Sequence, residues 1–573
     1  MSGDLLVRGG LLVDGTGGPS RPADVRVRDG FVVEVGGSLS GEGETVIDAS
    51  GAVVAPGFID THTHYDPSLW WDPLVDPAPQ HGVTTVVIGN CSLSLAPVRA
   101  ADRVGASDVF GFIEDIPTDA FATGIPWSWE SYAQWRDALA DLGTAVHVAA
   151  LIGHSNLRHF VMGSDSWTRP ATPSERAEIA ATLAQCLEAG ALGMSTSFVD
   201  QDRHGRPVPS RAADDAEMMA LIDVLARATG GARLLEFLPF ITDINRQLSD
   251  IDRVARWCGE RGVACTWNQL AANGRDPSRA ERLIAQARAL HADGCRVYAQ
   301  VSPRPFDITI SFDQSPAFVS LRSWNFLIQQ TPAEKCRLLS DGDWRASARA
   351  DWDRVGDGFT IFPVSRLDKV KLTSVAPGEE QWLGASLADL VSSRGGHPSD
   401  VLADWVLDHD LAPGIVAEAV ANNDPAAVAD LVRDATTVIG ASDAGAHLQM
   451  MCGAGDTTLL LTRHVRDRPD LSLEEAVHQL TGRPAEAFGL RGRGRVAPGY
   501  TGDLVVFRLD ELDYGPDRFV HDLPGGAPRL TRPPGGFRFT VVSGTIVQSD
   551  GAATGARPAG PVDAGRPAID AAP

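Results

Sequence analysis

The chain has 573 residues, 43% hydrophobic and 22% charged, a composition of soluble globular proteins and a length for one large barrel with a satellite domain. A formal net charge of −24 argues against nucleic acid and anionic membrane surfaces as partners, because both need a basic face. No apolar run is long enough to span a bilayer, and the start Met1-Ser2-Gly3-Asp4 lacks a basic, then apolar, leader.

Seven widely spaced cysteines with no CxxC read as reduced thiols of a cytoplasmic protein. Six are core or surface residues on this reading, and Cys91 is the exception. Lysine occurs only at 335, 369 and 371, none of them at an expected barrel strand end.

Residues 1–56 read as short β segments. Leu5–Asp14 and Asp24–Gly30 alternate apolar with polar and end at turn residues, and Phe31–Val35 follows the Asp29-Gly30 turn as a hairpin would. From about 57 to 484 short apolar runs alternate with helical stretches. The expected strands after the first are 82–89, 145–153, 191–195, 233–235, 263–266, 296–301 and 437–440, with amphipathic helices such as 173–189 and 278–292 between them. Such alternation implies parallel strands with crossover helices, hence an α/β fold, a TIM-like (β/α)8 barrel; a doubly wound sheet is the alternative, but no Gly-rich dinucleotide loop follows an early strand. Residues 303–405 break the beat and are rich in Trp, Pro, Asp and Ser, as expected of an insertion serving as a lid. Residues 485–550 return to β character, so a small β-sandwich domain is expected from 1–56 and 485–550. The Ala-, Gly- and Pro-rich tail 551–573 is expected to be poorly ordered.

The run Pro56-Gly57-Phe58-Ile59-Asp60-Thr61-His62-Thr63-His64 carries the strongest chemical signal. Alternation with period two puts His62 and His64 on one face at a strand end, which is half of a metal site. The polar residues at later strand ends are Cys91, His154, Ser195, Glu236, Asn268, Tyr298 and Asp443. Imidazole, thiolate and carboxylate converging on one barrel mouth form a ligand set suited to zinc.

With these residues in place the chain resembles the amidohydrolase superfamily, and within it the N-acyl-D-amino-acid deacylase (D-aminoacylase) family. The resemblance rests on the His62 stretch, on Gly82-Val83-Thr84-Thr85-Val86-Val87-Ile88-Gly89-Asn90-Cys91, on Gly190-Ala191-Leu192-Gly193-Met194-Ser195-Thr196 and on Gly440-Ala441-Ser442-Asp443-Ala444-Gly445-Ala446-His447. Gly494 to Val506 is similar to the superfamily's return into the β domain. The resemblance implies that His62 and His64 bind Zn2+, that Cys91 adds a thiolate, and that Asp443 ligates weakly and acts as general base before protonating the leaving nitrogen.

Departures accompany the matches. Glu236 and Asn268 stand where the family has two further histidines, so one metal is expected in place of two, with Glu236 still a potential ligand. Gln269 and Leu270 replace the family's carboxylate-holding lysine. Tyr298 and Arg304 are then the candidate substrate contacts, together with His154 and Asn268. Trp70, Trp71, Trp267 and Trp324 are candidates for an aromatic wall, and His447 for a residue facing the mouth. The expected function is hydrolysis of a C–N amide bond in a small-molecule substrate. A cyclic-amide or lactone hydrolase and a metal-poor, non-catalytic paralogue are the alternatives, and a homo-oligomer stays open.

Overall fold

The computed structural model describes all residues except 1–3, 42, 229–232, 273–275, 313–314, 356–360, 376, 419, 441 and 564–573. Met1–Gly3 at the start, Gly230 and Gly231 of the fifth-strand stretch, Ala441, and the end of the tail therefore lie outside the described residues.

Eight parallel strands form the barrel: β1 (Phe58–Asp60), β2 (Val83–Ile88), β3 (His147–Gly153), β4 (Gly193–Ser197), β5 (Leu234–Leu238), β6 (Ala264–Trp267), β7 (Val297–Val301) and β8 (Thr437–Ile439). They pair in chain order from β1 to β8. The remaining gap closes just beyond the strands, where Thr63 bridges Ala444 and the Thr61 hydroxyl donates to the Ile439 carbonyl at 2.8 Å. The expected strands are all present, with ends that differ by at most three residues.

Inward side chains fill the barrel with Ile59, Val87, Ala149, Leu151, Leu192, Leu234, Ala264 and Val438, plugged below by Phe488 and Leu490. The interior is thus a packed core, and polar residues are left for the carboxyl-terminal rim. The outer helices bury one stripe each. Pro173–Glu188 starts at a Thr172/Glu175 capping box with proline at its first position and buries Ile179, Leu183 and Cys186.

Strands from both ends of the chain build the second domain. Leu504–Phe507 pairs with Val53–Pro56, which pairs in turn with Leu5–Leu12. These strands belong to one continuous nine-stranded sheet. The described residues of the tail are tied down. Thr144 and Ala559 exchange backbone hydrogen bonds, and the Val562 N–H donates to the Val148 carbonyl at 2.7 Å, fastening the tail to β3.

The insertion between β7 and β8 extends past residue 405. Its core runs from Ile310 to Ile415 and includes Phe318, Trp324, Trp344, Trp352 and Trp405. Among its strands, Ile415–Ala417 pairs with both Ile308–Thr309 and Val370–Leu372. Trp324 is therefore insertion core and not an active-site wall. All seven cysteines are free, and Cys336 alone is exposed. Among the described residues no helix is long and apolar enough to cross a membrane.

Candidate metal centre at the barrel mouth

β1 ends at Asp60, and the chain continues extended, with the His64 N–H donating to the Ala444 carbonyl at 2.8 Å. Both imidazoles are buried, with ring centroids 5.3 Å apart. Gly89 turns the chain from β2 into Cys91 with φ +76°, and a Cβ there would sit 2.1 Å from the Leu151 carbonyl oxygen. Cys91, Ser92, Asp443 and His447 all hold left-handed φ between 50° and 70°, a costly backbone for non-glycine residues that is typical of functional sites.

The side chains meet. One ligand atom each from His62, His64 and Cys91 lies within 4.8 Å of the others. Cys91 Sγ is 3.5 Å from His62 Nε2, and Asp443 Oδ1 is 3.3 Å from His62 Nε2 and 4.0 Å from His64 Nε2. His62 Nδ1 lies 2.7 Å from Gln300 Oε1, so the amide oxygen takes the Nδ1 proton and leaves the Nε2 lone pair facing Cys91 and Asp443.

Electrostatics favour a cation here. Burial, then the neighbouring His62, holds His64 down to about 3, so it is a neutral imidazole with a lone pair to give. Burial also lowers His62. Burial and the Glu236 carboxyl push the Cys91 thiol far above its ordinary range, a penalty that a divalent ion would reverse. Two neutral imidazoles, a thiol and a carboxylate at these spacings fit one tetrahedral metal ion.

Glu236 and Asn268 reach the same mouth but engage each other. The Cys91 N–H donates to Glu236 Oε2 at 3.0 Å. The Asn268 amide donates to Glu236 Oε1 at 2.7 Å in the orientation that satisfies both its ends, and its other amide atom lies 3.4 Å from Cys91 Sγ. Burial raises the Glu236 carboxyl to about 8.

Three expected substrate contacts are committed elsewhere. Both ring nitrogens of His154 are bonded, Nδ1 to Thr196 Oγ1 at 3.0 Å and Nε2 to Glu217 Oε1 at 2.9 Å, and Glu217 also pairs with Arg158. Arg304 donates to the Ser442 carbonyl at 2.7 Å and the Cys452 carbonyl at 3.2 Å, which braces the Asp443 loop instead of opening a carboxylate fork. Tyr298 lies one layer too low. It packs against His291 and under Arg483, and the residue that β7 presents to the mouth is Gln300, two positions on along the same face. Trp70 is stacked on Trp129, and Trp267 is fully buried. Trp71 lines a cavity of about 260 Å³ behind the Asp443 loop, with Tyr65, Met451 and Arg529.

Glu114, which the sequence does not single out, also reaches the mouth. It is buried, with Oε1 3.4 Å from His64 Nδ1. It arrives from the excursion between β2 and β3, which carries no ligand motif. Gln300 was findable by counting two residues along its strand from Tyr298.

Comparison with known proteins gives the family and the fold. The family model described as "Amidohydrolase family" matches residues 45–548. An uncharacterized protein of Mycobacterium tuberculosis (strain ATCC 25618 / H37Rv) is 32% identical over 571 residues, covering 95% of this chain and 91% of its own. The N-acyl-D-aspartate deacylase of Alcaligenes xylosoxydans xylosoxydans is 29% identical over 518 residues, 88% of this chain and 85% of its own. Among solved structures, a D-aminoacylase studied for its binuclear metal center, with one-metal activation and second-metal attenuation, aligns with a TM-score of 0.66 at 25% identity, covering 98% of this chain and 99% of that one.

Proposed function

The chain belongs to the amidohydrolase family, and we propose that it is a zinc-dependent hydrolase of the N-acyl-D-amino-acid deacylase type that splits a C–N amide bond in a small molecule. The observation that carries this reading is the convergence of His62, His64 and Cys91 within 4.8 Å, with Asp443 beside them. A bound zinc supplies Lewis acidity, polarising the amide carbonyl and bringing the pKa of water down to roughly 7.

The protein's own side chains do the rest. Asp443 accepts a proton from the attacking water and returns it to the leaving nitrogen. Its place is fixed by its backbone N–H, which donates to the His62 carbonyl at 3.2 Å, and by Ser442, whose hydroxyl donates to Asp60 at 2.8–2.9 Å. Gln300 orients His62.

The reading is of one metal. The Glu236 carboxyl is engaged by Asn268 and the Cys91 amide, and a neutral amide is a poor zinc ligand. The structurally similar D-aminoacylase is described as having a binuclear metal center with one-metal activation and second-metal attenuation, so a single metal is compatible with activity in that protein.

The test pairs metal analysis with hydrolysis of N-acetyl-D-amino acids. His62→Ala should lose zinc and activity together. Asp443→Ala should cut turnover by roughly 10²–10⁴-fold. Glu236→Ala should leave the zinc content near that of the unaltered protein, about one per chain. Unchanged turnover in Asp443→Ala rejects the proton role, and a fall from two zincs to one in Glu236→Ala rejects the single-metal count.

A further inference from the structure

His62 has an evident outer support in Gln300, and the question is what holds His64. Glu114 is 2% exposed, and its Oε1 lies 3.4 Å from His64 Nδ1, a ring nitrogen that is buried and has no formed hydrogen bond. Its other oxygen, Oε2, lies 3.9 Å from His447 Nε2, and its main-chain carbonyl accepts the His447 N–H. The next residue repeats the link, because Gln449 donates to Asp115 Oδ1 at 3.2 Å. From the helix Arg103–Ile113, Phe110 sets its ring against the His64 imidazole at 6.2 Å and 78°. Asp115 and His447, on the two sides of the clasp, both hold left-handed backbone, with φ 51° and 50°.

We propose that Glu114 is a positioning residue for the metal centre: it orients His64 from behind and, by clasping His447, fixes the Asp443 loop over the histidine pair. The inference rests on the reading that His64 binds the metal. A metal-bound imidazole commonly donates its other N–H to a carboxylate, which sets the tautomer and the ring angle. The excursion between β2 and β3 is then part of the centre, and its Glu114–Asp115 turn joins the β1 ligands to the β8 carboxylate.

The experiment measures zinc affinity of the full chain by competition with a chromophoric chelator, and the visible spectrum of the cobalt(II)-substituted protein. Glu114→Ala should weaken zinc binding roughly 10–100-fold and alter the cobalt spectrum. Glu114→Gln should recover part of both, since its amide oxygen can still accept from Nδ1. A merely structural residue would lower the melting temperature without changing the spectrum, so melting curves of the metal-free variants are recorded alongside. His64→Ala serves as the reference and should lose zinc. Unaltered zinc affinity and cobalt spectrum in Glu114→Gln and in folded Glu114→Ala, while His64→Ala loses zinc, overturn the inference alone. Zinc retained by His64→Ala overturns the metal reading and the inference with it.

Discussion

At the residue scale, neighbours decide what each polar group can do. His154 and Glu236 both end up buried at strand ends, yet neither is free. His154 is half of a buried network with Glu217 and Arg158. Burial alone would raise Glu217, but hydrogen bonds and charge from His154 and Arg158 bring it down to about 2. A carboxyl depressed on folding stabilises the fold above its ordinary pKa near 4.5, and that contribution fades as pH falls toward 2. Glu217→Gln should therefore cost about 3 kcal/mol in urea unfolding at pH 7. The difference from the unaltered protein should hold down to about pH 5 and shrink below it, and a difference independent of pH would show that the pair is not charged. The same contrast explains what was legible. His62 and His64 could be read because period two forces them onto one side, and Asp443 and Cys91 because they follow apolar strands. Glu114 could not be read, because it reaches the mouth by tertiary packing of a helical excursion. Tyr298 was misplaced by one layer, since sequence gives the phase of a strand more surely than its height.

At the scale of elements, strand order was legible because each barrel strand is a short apolar run between helix signals. The insertion was seen only as a break in that beat, and its end was missed because its last strand, Ile415–Ala417, is too short to stand out from the barrel helix that follows. That strand pairs inside the insertion, which owns a separate core. Trp324 is its centre, fully buried, stacked on Phe318 at 5.4 Å and donating to the Ser399 hydroxyl at 3.0 Å. Trp324→Ala should cost roughly 3–5 kcal/mol. Hydrogen exchange should then speed up across 306–418 while the barrel strands keep their protection. Equal loss of protection in β2 to β6 would mean that insertion and barrel unfold as one unit. Residues 551–563, the described part of the tail, show a related effect. Their composition suggests disorder, but backbone hydrogen bonds to Thr144 and Val148 need no particular side chains.

At the scale of the whole molecule, contacts distant in sequence converge on one rim: the segment after β1 supplies two imidazoles, the turn after β2 a thiol, the following excursion the Glu114 carboxyl, β7 an amide and the loop after β8 the Asp443 carboxyl. The sheet that joins both chain ends holds β1 by pairing Val53–Pro56, just before it, with Leu504–Phe507. The family resemblance implied His62, His64, Cys91 and Asp443 but neither Glu114 nor Gln300, and the geometry adds that Glu236 and Asn268 bind each other. The most direct measurement is a crystal structure of the zinc-loaded protein with anomalous data collected at the zinc edge. A single peak within about 2.0–2.3 Å of donor atoms from His62, His64 and Cys91, with Asp443 alongside, is the predicted result. A second peak bonded to Glu236, or no peak among these side chains, would contradict it.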